Sequence, residues 1–145
     1  MLAVIQRVKQ ARVEVDAAVV GEIGHGLLVL VCAQPQDTEQ TAQKFLDKLL
    51  RLRIFSDQEG KMNRSVQDVQ GGLLLVSQFT LAADVSRGTR PGFSGAAAPE
   101  MARDWFDQLV HMARDAHPRV ATGVFAADMQ VHLINDGPVT IPMQL

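Results

Sequence analysis

The stretch LLLVSQFTL, residues 73–81, begins as an apolar run and then places Ser77, Gln78 and Thr80 among its last positions. The apolar part predicts a strand that is buried on both faces, near the centre of a sheet. A buried hydroxyl or amide without a partner costs roughly 1–3 kcal/mol. We therefore expect these polar groups either to bond to neighbouring backbone at a strand end or to meet a ligand.

The length and composition are those of one globular unit. The chain has 145 residues, 47% hydrophobic and 21% charged, which favours a single domain over residues 1–145. Its one cysteine, Cys32, lies in an apolar run and cannot form an internal disulfide, so a reducing compartment is favoured. The first residues contain no continuous apolar segment typical of a signal peptide or a membrane span. We expect a cytoplasmic protein.

Hydrophobic periodicity predicts an α+β fold. Strand-like alternation or apolar runs occupy residues 4–8, 11–16, 19–24 and 26–33, and again residues 121–126, 129–136 and 139–145. Helical spacing occupies residues 38–53, with Asp37 and Gln40 as the expected cap, and residues 99–117, which begin at Pro99. We therefore expect a mostly antiparallel, barrel-like sheet covered by two main α-helices.

Neither a metal site nor a cofactor site is predicted. The chain contains no GxGxxG, GxxxxGK, HExxH or GxSxG motif and no cysteine pair. The histidines His25, His111, His117 and His132 are scattered over different elements. Cys32 is a poor candidate nucleophile because burial in a strand raises a thiol pKa. The net charge of −2 argues against a broad nucleic-acid surface, although it permits contact with one nucleic-acid end.

Three local groups could carry chemistry. SQFT, residues 77–80, is either an ordinary strand end or a ligand floor whose hydroxyls, amide and N–H groups face a carbonyl. The long loop at residues 81–100 holds Arg87 and Arg90, which either lie in solvent or approach phosphate or ribose. NDGPVT, residues 135–140, predicts a hairpin turn, yet a cis Gly137–Pro138 bond would place successive carbonyls on one side.

Taken together, these segments resemble the D-aminoacyl-tRNA deacylase family. The resemblance rests on SQFTL (77–81), RGTRPGF (87–93) and NDGPVTI (135–141), with the stretch LRIFSDQEGKMNRSVQDVQGG (52–72) before them. The early segments VIQRV (4–8) and VGEIGHGLLVLV (20–31) extend it over essentially the whole chain. Each fragment is weak alone, but their order and spacing are highly specific.

The resemblance implies a cytoplasmic homodimeric hydrolase with the fold of this family. It would cleave the ester joining a D-amino acid, or a mischarged glycine, to the 3′ end of tRNA while sparing L-aminoacyl esters, and so act in translational proofreading. The carried-over catalytic floor is Ser77, Gln78, Phe79 and Thr80. Gly137 and Pro138 would enter the other subunit's site through a cis peptide bond, braced by Arg7.

The resemblance also implies a substrate-assisted reaction without a cofactor or metal. No His, Asp or Glu in SQFT or DGPVT has an obvious role as a general base, since Asp136 is expected in a turn. The ribose 2′-hydroxyl of the terminal adenosine would then take part, while backbone groups near Phe79 and Thr80 hold the ester carbonyl. Thr80 as a nucleophile is the competing mechanism.

Two other functions remain open at this point. One is a related deacylase that removes an L-amino acid mischarged on tRNA, which carries a trans Gly-Pro bond and a wider pocket. The other is a non-catalytic module that only holds an aminoacyl end. Turnover separates the module from an enzyme, and the chirality of the hydrolysed ester separates the two deacylases.

Overall fold

Eight strands and two α-helices make up the fold in the computed structural model, which describes all 145 residues. A short 3-10 helix at Phe79–Ala82 follows directly on one of the strands. The strands are β1 (Leu2–Val15), β2 (Ala18–Ile23), β3 (Gly26–Cys32), β4 (Phe55–Ser56), β5 (Met62–Arg64), β6 (Gly72–Ser77), β7 (Val120–Thr122) and β8 (Gln130–Gln144), and the helices are α1 (Glu39–Arg51) and α2 (Pro99–Ala116).

The main sheet is mixed and closes toward a barrel. Its order is β2-β1-β3-β6-β7, and β8 pairs with β1 along the edge that β2 and β3 leave free. The pairs that involve β1 are antiparallel, whereas β3–β6 and β6–β7 are parallel. Gly21 of β2 lies so close to the backbone of Thr122 in β7 that a Cβ would not fit. The expected α+β class, with two helices on a barrel-like sheet, is confirmed.

The apolar strands β3 and β6 are buried on both faces, as their continuous hydrophobic runs predict. Alternate residues Leu73 and Leu75 belong to the larger core cluster, together with α1 and α2 side chains. Leu74 and Val76 point to the opposite face and join a smaller cluster with Val8 and other β1 residues. The stretch that opened the sequence analysis therefore lies between two layers of core.

Both helices occur where the periodicity predicts them, but the cap of α1 differs from the prediction. Thr38 is the N-cap residue, and Thr41 completes a reciprocal capping box. The predicted pair of Asp37 and Gln40 is wrong, because the Asp37 carboxylate instead accepts from the Met1 ammonium at 2.6 Å and from the Gln34 N–H at 2.8 Å. Helix α2 begins with Pro99, as predicted.

The predicted hairpin at residues 135–140 is wrong. Strand β8 continues through this segment as one element and pairs with β1 on both sides of it. Asn135 pairs with Val8 and Thr140 with Gln6, so residues 136–139 leave the ladder as a bulge. We call residues 136–139 the Gly-Pro bulge. The strand predicted at residues 121–126 also ends early, at Thr122.

Neither helix combines the length and apolar character needed to cross a lipid bilayer.

Candidate active site

Strand β6 ends at Ser77, and the turn that follows places Gln78 and Thr80 toward the protein surface. The Gln78 N–H makes a last ladder bond to the Val31 carbonyl at 2.8 Å, and the 3-10 helix begins at the next residue. Ser77 and Gln78 are half-buried, and Thr80 is exposed. The Gln78 side-chain amide donates to the Thr80 hydroxyl at 2.5 Å. The polar residues of the opening stretch thus lie at the accessible end of the strand, where Gln78 and Thr80 bond to each other, and not in the core.

The backbone of this turn presents donors. The N–H groups of Phe79 and Thr80 open the 3-10 helix and so have no acceptor within it. No side chain accepts from either group, whereas the next N–H, that of Leu81, donates to the Gln78 carbonyl at 3.2 Å. Two adjacent N–H groups beside two hydroxyls are an arrangement that can bind a carbonyl oxygen or an oxyanion.

An apolar cavity of about 620 Å³ opens beside the turn. Phe79 is 54% exposed, and its ring meets the Phe93 ring edge-on with the centroids 5.0 Å apart. The far wall comes from the start of α2 and from the segment that follows β7. The lining residues are Cys32, Val76, Ser77, Gln78, Phe79, Phe93, Ala96, Ala97, Pro99, Ala102, Phe125, Ala126, Ala127, Asp128, Met129 and Val131. A volume of this size suits a small organic ligand.

The cavity contains two ionisable groups, Cys32 and Asp128. Burial raises the pKa of the Cys32 thiol, whose Sγ lies 3.3 Å from the Ala33 carbonyl oxygen and 3.7 Å from that of Phe79. A protonated, buried thiol is a poor nucleophile. Asp128 is exposed at the rim. The structure contains no group of three or more His, Cys, Asp or Glu side chains placed to bind a metal ion.

The Gly-Pro bulge is held by Arg7. The Arg7 side chain is buried, and it donates to the Asp136 carbonyl at 3.0 Å and to the Ile54 carbonyl at 2.7 Å. Gly137 has a φ of +132°, and a Cβ there would lie 3.2 Å from the Arg7 guanidinium. The Gly137–Pro138 peptide bond is cis. The structure therefore brings Arg7 and the Gly-Pro bulge together.

The two predicted parts of the site lie apart within one chain. Arg7 pairs with Leu27 near the start of β3, whereas the SQFT turn bonds to Val31 near the end of that strand. Four residue steps along a strand correspond to roughly 13 Å. The structure therefore does not bring Gly137 and Pro138 to the SQFT turn of the same chain.

The long loop at residues 81–100 returns to the cavity. Asp84 and Gly92 form an isolated antiparallel bridge, with N···O distances of 2.8 and 2.9 Å. Arg87 and Arg90 lie between these residues and are exposed. Gly92 precedes Phe93, so the bridge holds this ring against Phe79. We call residues 85–91 the arginine loop.

Sequence reasoning missed much of the cavity wall. Phe125, Met129 and Asp128 line the cavity, although they lie about 50 residues beyond the SQFT turn in the chain. Phe125 and Met129 fall in the segments predicted to be strands, 121–126 and 129–136, and Asp128 lies between them, so no local signal points to a ligand site. Phe93 lies within RGTRPGF, and its position after a Gly-Pro-rich loop was the one available hint.

Comparison with known proteins identifies the family. A family model described as D-Tyr-tRNA(Tyr) deacylase matches residues 4–144. The D-aminoacyl-tRNA deacylase of Variovorax paradoxus (strain S110) is 64% identical over 145 residues, with 100% of this chain and 99% of that protein covered. The D-aminoacyl-tRNA deacylase of Paracidovorax citrulli (strain AAC00-1) is 63% identical, with 100% and 94% covered.

Solved structures agree with this fold. A structure titled c-Myc DNA Unwinding Element Binding Protein superposes with a TM-score of 0.95 at 38% identity and covers 100% of this chain and 99% of its own. Another, described as a probable eukaryotic D-amino acid tRNA deacylase, gives a TM-score of 0.86 over 98% and 97% of the two chains. Its 18% identity makes it a match of fold alone. From the family model and the relatives above 60% identity, we conclude that the chain belongs to the D-Tyr-tRNA(Tyr) deacylase family of hydrolases.

Proposed function

We propose that the protein hydrolyses the ester between a D-amino acid and the 3′-terminal adenosine of tRNA, releasing the free D-amino acid and the tRNA. The observation that carries this proposal is that Ser77, Gln78 and Phe79 of the SQFT turn line the apolar cavity. A cavity of about 620 Å³ with aromatic walls suits the base and ribose of one nucleoside. The ester of that nucleoside would then lie against the turn.

The turn would supply electrostatic stabilisation. Hydrolysis of an ester passes through a tetrahedral intermediate with a negative oxygen, which preorganised N–H donors stabilise. The N–H groups of Phe79 and Thr80 are such donors. Because an aminoacyl ester is already activated, positioning the water and the carbonyl is the main demand on the enzyme.

Thr80 would position the substrate and would not attack it. A nucleophilic hydroxyl needs a base within hydrogen-bonding distance. The partner of the Thr80 hydroxyl is the amide of Gln78, and an amide accepts no proton in either orientation. The ribose 2′-hydroxyl of the substrate would instead assist the attack of water.

Asp128 is the one carboxylate of the cavity and hence the rival base. If it removes the proton from water, Asp128→Asn should lower kcat by 10²-fold or more, as expected for loss of general-base catalysis. Substrate assistance instead predicts a change of less than about fivefold. Rates for the wild type and this variant between pH 5 and pH 8 decide between the two.

The Gly-Pro bulge would distinguish D- from L-aminoacyl groups by the arrangement of substituents at the Cα atom of the substrate. Residues 136–139 leave the β1–β8 ladder, so the carbonyls of Gly137 and Pro138 are not paired with β1. They could accept hydrogen bonds from the α-ammonium and leave no room for an L side chain, while a D side chain points outward. Rejection would thus rest on steric exclusion. Glycine has no side chain to exclude, so glycyl-tRNA would also be hydrolysed.

The complete site would need a homodimer. Since the Gly-Pro bulge and the SQFT turn lie at opposite ends of β3, the bulge of one subunit would enter the cavity region of the other. The outer edge of β8 carries no partner strand, and such an edge favours pairing with a second copy. Leu133 and Ile134 are exposed on this strand, as an interface would require. Because its substrate is tRNA, we place this dimer in the cytoplasm.

The direct experiment is matched hydrolysis of D-, L- and glycyl esters on the same tRNA in the presence of a metal chelator. We expect loss of the D and glycyl esters, with the L ester spared. Preferential loss of the L ester would contradict the proposed chirality and favour the L-specific relative. Protection of all three esters would contradict hydrolysis and favour a binding module.

The cross-subunit arrangement has its own experiment. Subunits carrying Gly137→Ala and subunits carrying Thr80→Val are each expected to form weakly active dimers. Refolding them together should restore about one quarter of the wild-type activity per total subunit, because half of the dimers are mixed and each mixed dimer contains one intact site. No gain on mixing would contradict a site shared between subunits.

A further inference from the structure

We propose that the arginine loop, with Arg103 of α2, holds the phosphates immediately upstream of the terminal adenosine and so fixes the single-stranded 3′ end of tRNA on the enzyme. This inference rests on the proposed function and names the part of the protein that would contact the rest of the tRNA. It assigns a role to positive charge that the reaction at the ester does not use.

The loop is rigidly connected to the site at both ends. Its first end follows the 3-10 helix at Phe79–Ala82, and its second end leads into Phe93, which packs on Phe79. The Asp84–Gly92 bridge ties the two ends together. Arg90 is three residues from Phe93, so the Cα atoms of the two residues lie within about 11 Å of each other. The loop that carries both arginines therefore begins and ends beside the cavity.

Arg87 and Arg90 have no internal partner. Most other arginines donate hydrogen bonds within the protein, namely Arg7, Arg12, Arg51, Arg53, Arg64 and Arg119. No acidic residue occurs between Asp84 and Glu100. Hydrogen bonds from the Ser86 side chain and backbone lower the pKa of the Asp84 carboxyl, which accepts from the Ser86 N–H at 2.9 Å. With two arginines and the single carboxylate of Asp84, residues 84–92 carry a net charge of +1.

Arg103 adds a third cation at another side of the cavity. Its guanidinium lies 4.6 Å from the centre of the Phe125 ring, and Phe125 lines the cavity. Stacking on the ring orients the guanidinium while its N–H donors remain available. Phe125 thus places a cation beside a third aromatic residue of the cavity wall.

Phosphate is the chemistry that these cations fit. A nucleoside in the cavity leaves its 5′-phosphate and the upstream chain outside, where exposed guanidinium groups can bind them in a bidentate manner. The net charge of the whole chain is −2, so binding of the tRNA must depend on local positive charge near the site. Contacts with phosphate alone would be independent of sequence, as an enzyme acting on many tRNAs requires.

The test compares the double variant Arg87→Ala/Arg90→Ala with the matched pair Lys48→Ala/Arg51→Ala on the exposed face of α1. For each protein, kcat/KM is measured with a D-aminoacyl-tRNA and with the same D-amino acid esterified to adenosine alone, which has no upstream phosphate. In the loop variant, we expect kcat/KM to fall by a factor roughly tenfold larger for the tRNA ester than for the adenosine ester. Arg87→Lys/Arg90→Lys should recover part of that loss.

Binding of deacylated tRNA, measured from 50 to 300 mM KCl, separates this inference from the proposed function. We expect the slope of log affinity against log salt to decrease by about 0.7 for each lost phosphate contact in the loop variant, and to change less in the α1 pair. The inference would be overturned if the Arg87/Arg90 and Lys48/Arg51 variants changed the salt slope equally. It would also be overturned if the loop variant lost kcat/KM equally on the two esters. If the wild type hydrolyses neither ester, the proposed function fails, while the salt slopes still decide the role of the loop.

Discussion

The Arg7 side chain donates a hydrogen bond to the Asp136 carbonyl oxygen at 3.0 Å, although 129 residues separate the two in the chain. The same guanidinium donates to the Ile54 carbonyl at 2.7 Å. One buried cation thus ties the Gly-Pro bulge of β8 to the segment after α1. The bulge is consequently held by side-chain bonds where its own ladder bonds are absent.

Replacing Arg7 should therefore destabilise the protein and the site together. We expect Arg7→Ala to lower the free energy of unfolding by roughly 2–4 kcal/mol, because two carbonyls lose their charged donor. Arg7→Lys keeps the charge but loses the forked geometry, so it should recover stability more than activity. Urea unfolding and D-ester hydrolysis, measured on the same samples, test this. Wild-type activity in Arg7→Ala would show that the bulge needs no brace.

Gly137 is expected to tolerate no side chain. Its φ of +132° is unfavourable for other residues, and a Cβ would meet Val139 at 3.0 Å and Arg7 at 3.2 Å. Gly137→Ala should cost roughly 1–3 kcal/mol and reduce D-ester hydrolysis at least tenfold. Gly24→Ala is the matched control, since a Cβ at Gly24 meets nothing within 4 Å. Similar activities for the two variants would contradict the role of the bulge.

Thr80 should respond as a positioning group. Thr80→Val removes the hydroxyl that accepts from Gln78 and should lower kcat by about tenfold, whereas Thr80→Ser should retain most of the activity. If Thr80 were the nucleophile, Thr80→Val would instead abolish almost all activity. Mass spectrometry of wild-type enzyme quenched during turnover should detect no acyl group on residue 80. A trapped acyl-Thr80 species would contradict substrate assistance.

Cys32 should make stability depend on pH in the alkaline range. Because burial raises the pKa of the folded thiol, the folded state keeps its proton at pH values where the unfolded thiol, with a pKa of about 8.5, has lost it. Its stabilising contribution is complete below the unfolded pKa and declines as the pH rises toward the folded pKa. Cys32→Ala should therefore show a shallower loss of stability between pH 8 and pH 10 in urea unfolding. An identical slope would contradict a raised pKa.

The spacing of apolar residues predicted the helices and strands well where it reflects which faces of these elements are buried. The two helices and the doubly buried strands β3 and β6 follow directly from apolar spacing. Long-range pairing is not visible in such patterns. Asp136-Gly137 has the composition of a hairpin turn, yet β1 is long enough to pair with β8 on both sides of it, and the segment becomes a bulge.

The candidate site was predictable in part for the same reason. Ser77, Gln78 and Thr80 stand out because polar groups end an apolar run. Phe125 and Met129 do not, because apolar side chains in a predicted strand give no sign that they face a cavity. Their role depends on where the chain lies after α2, and this position cannot be read from a short stretch of sequence.

The Gly-Pro bulge also limits how this protein can evolve. Ladder pairs fix β8 on both sides, with Asn135 opposite Val8 and Thr140 opposite Gln6. If the bulge keeps its shape, deleting or adding one residue between them shifts every later position by one and turns Met143 from the core toward solvent. Among descendants of this sequence, both Gly137 and the length of the bulge are therefore constrained, since a change of length would alter the pairing of the whole remaining strand.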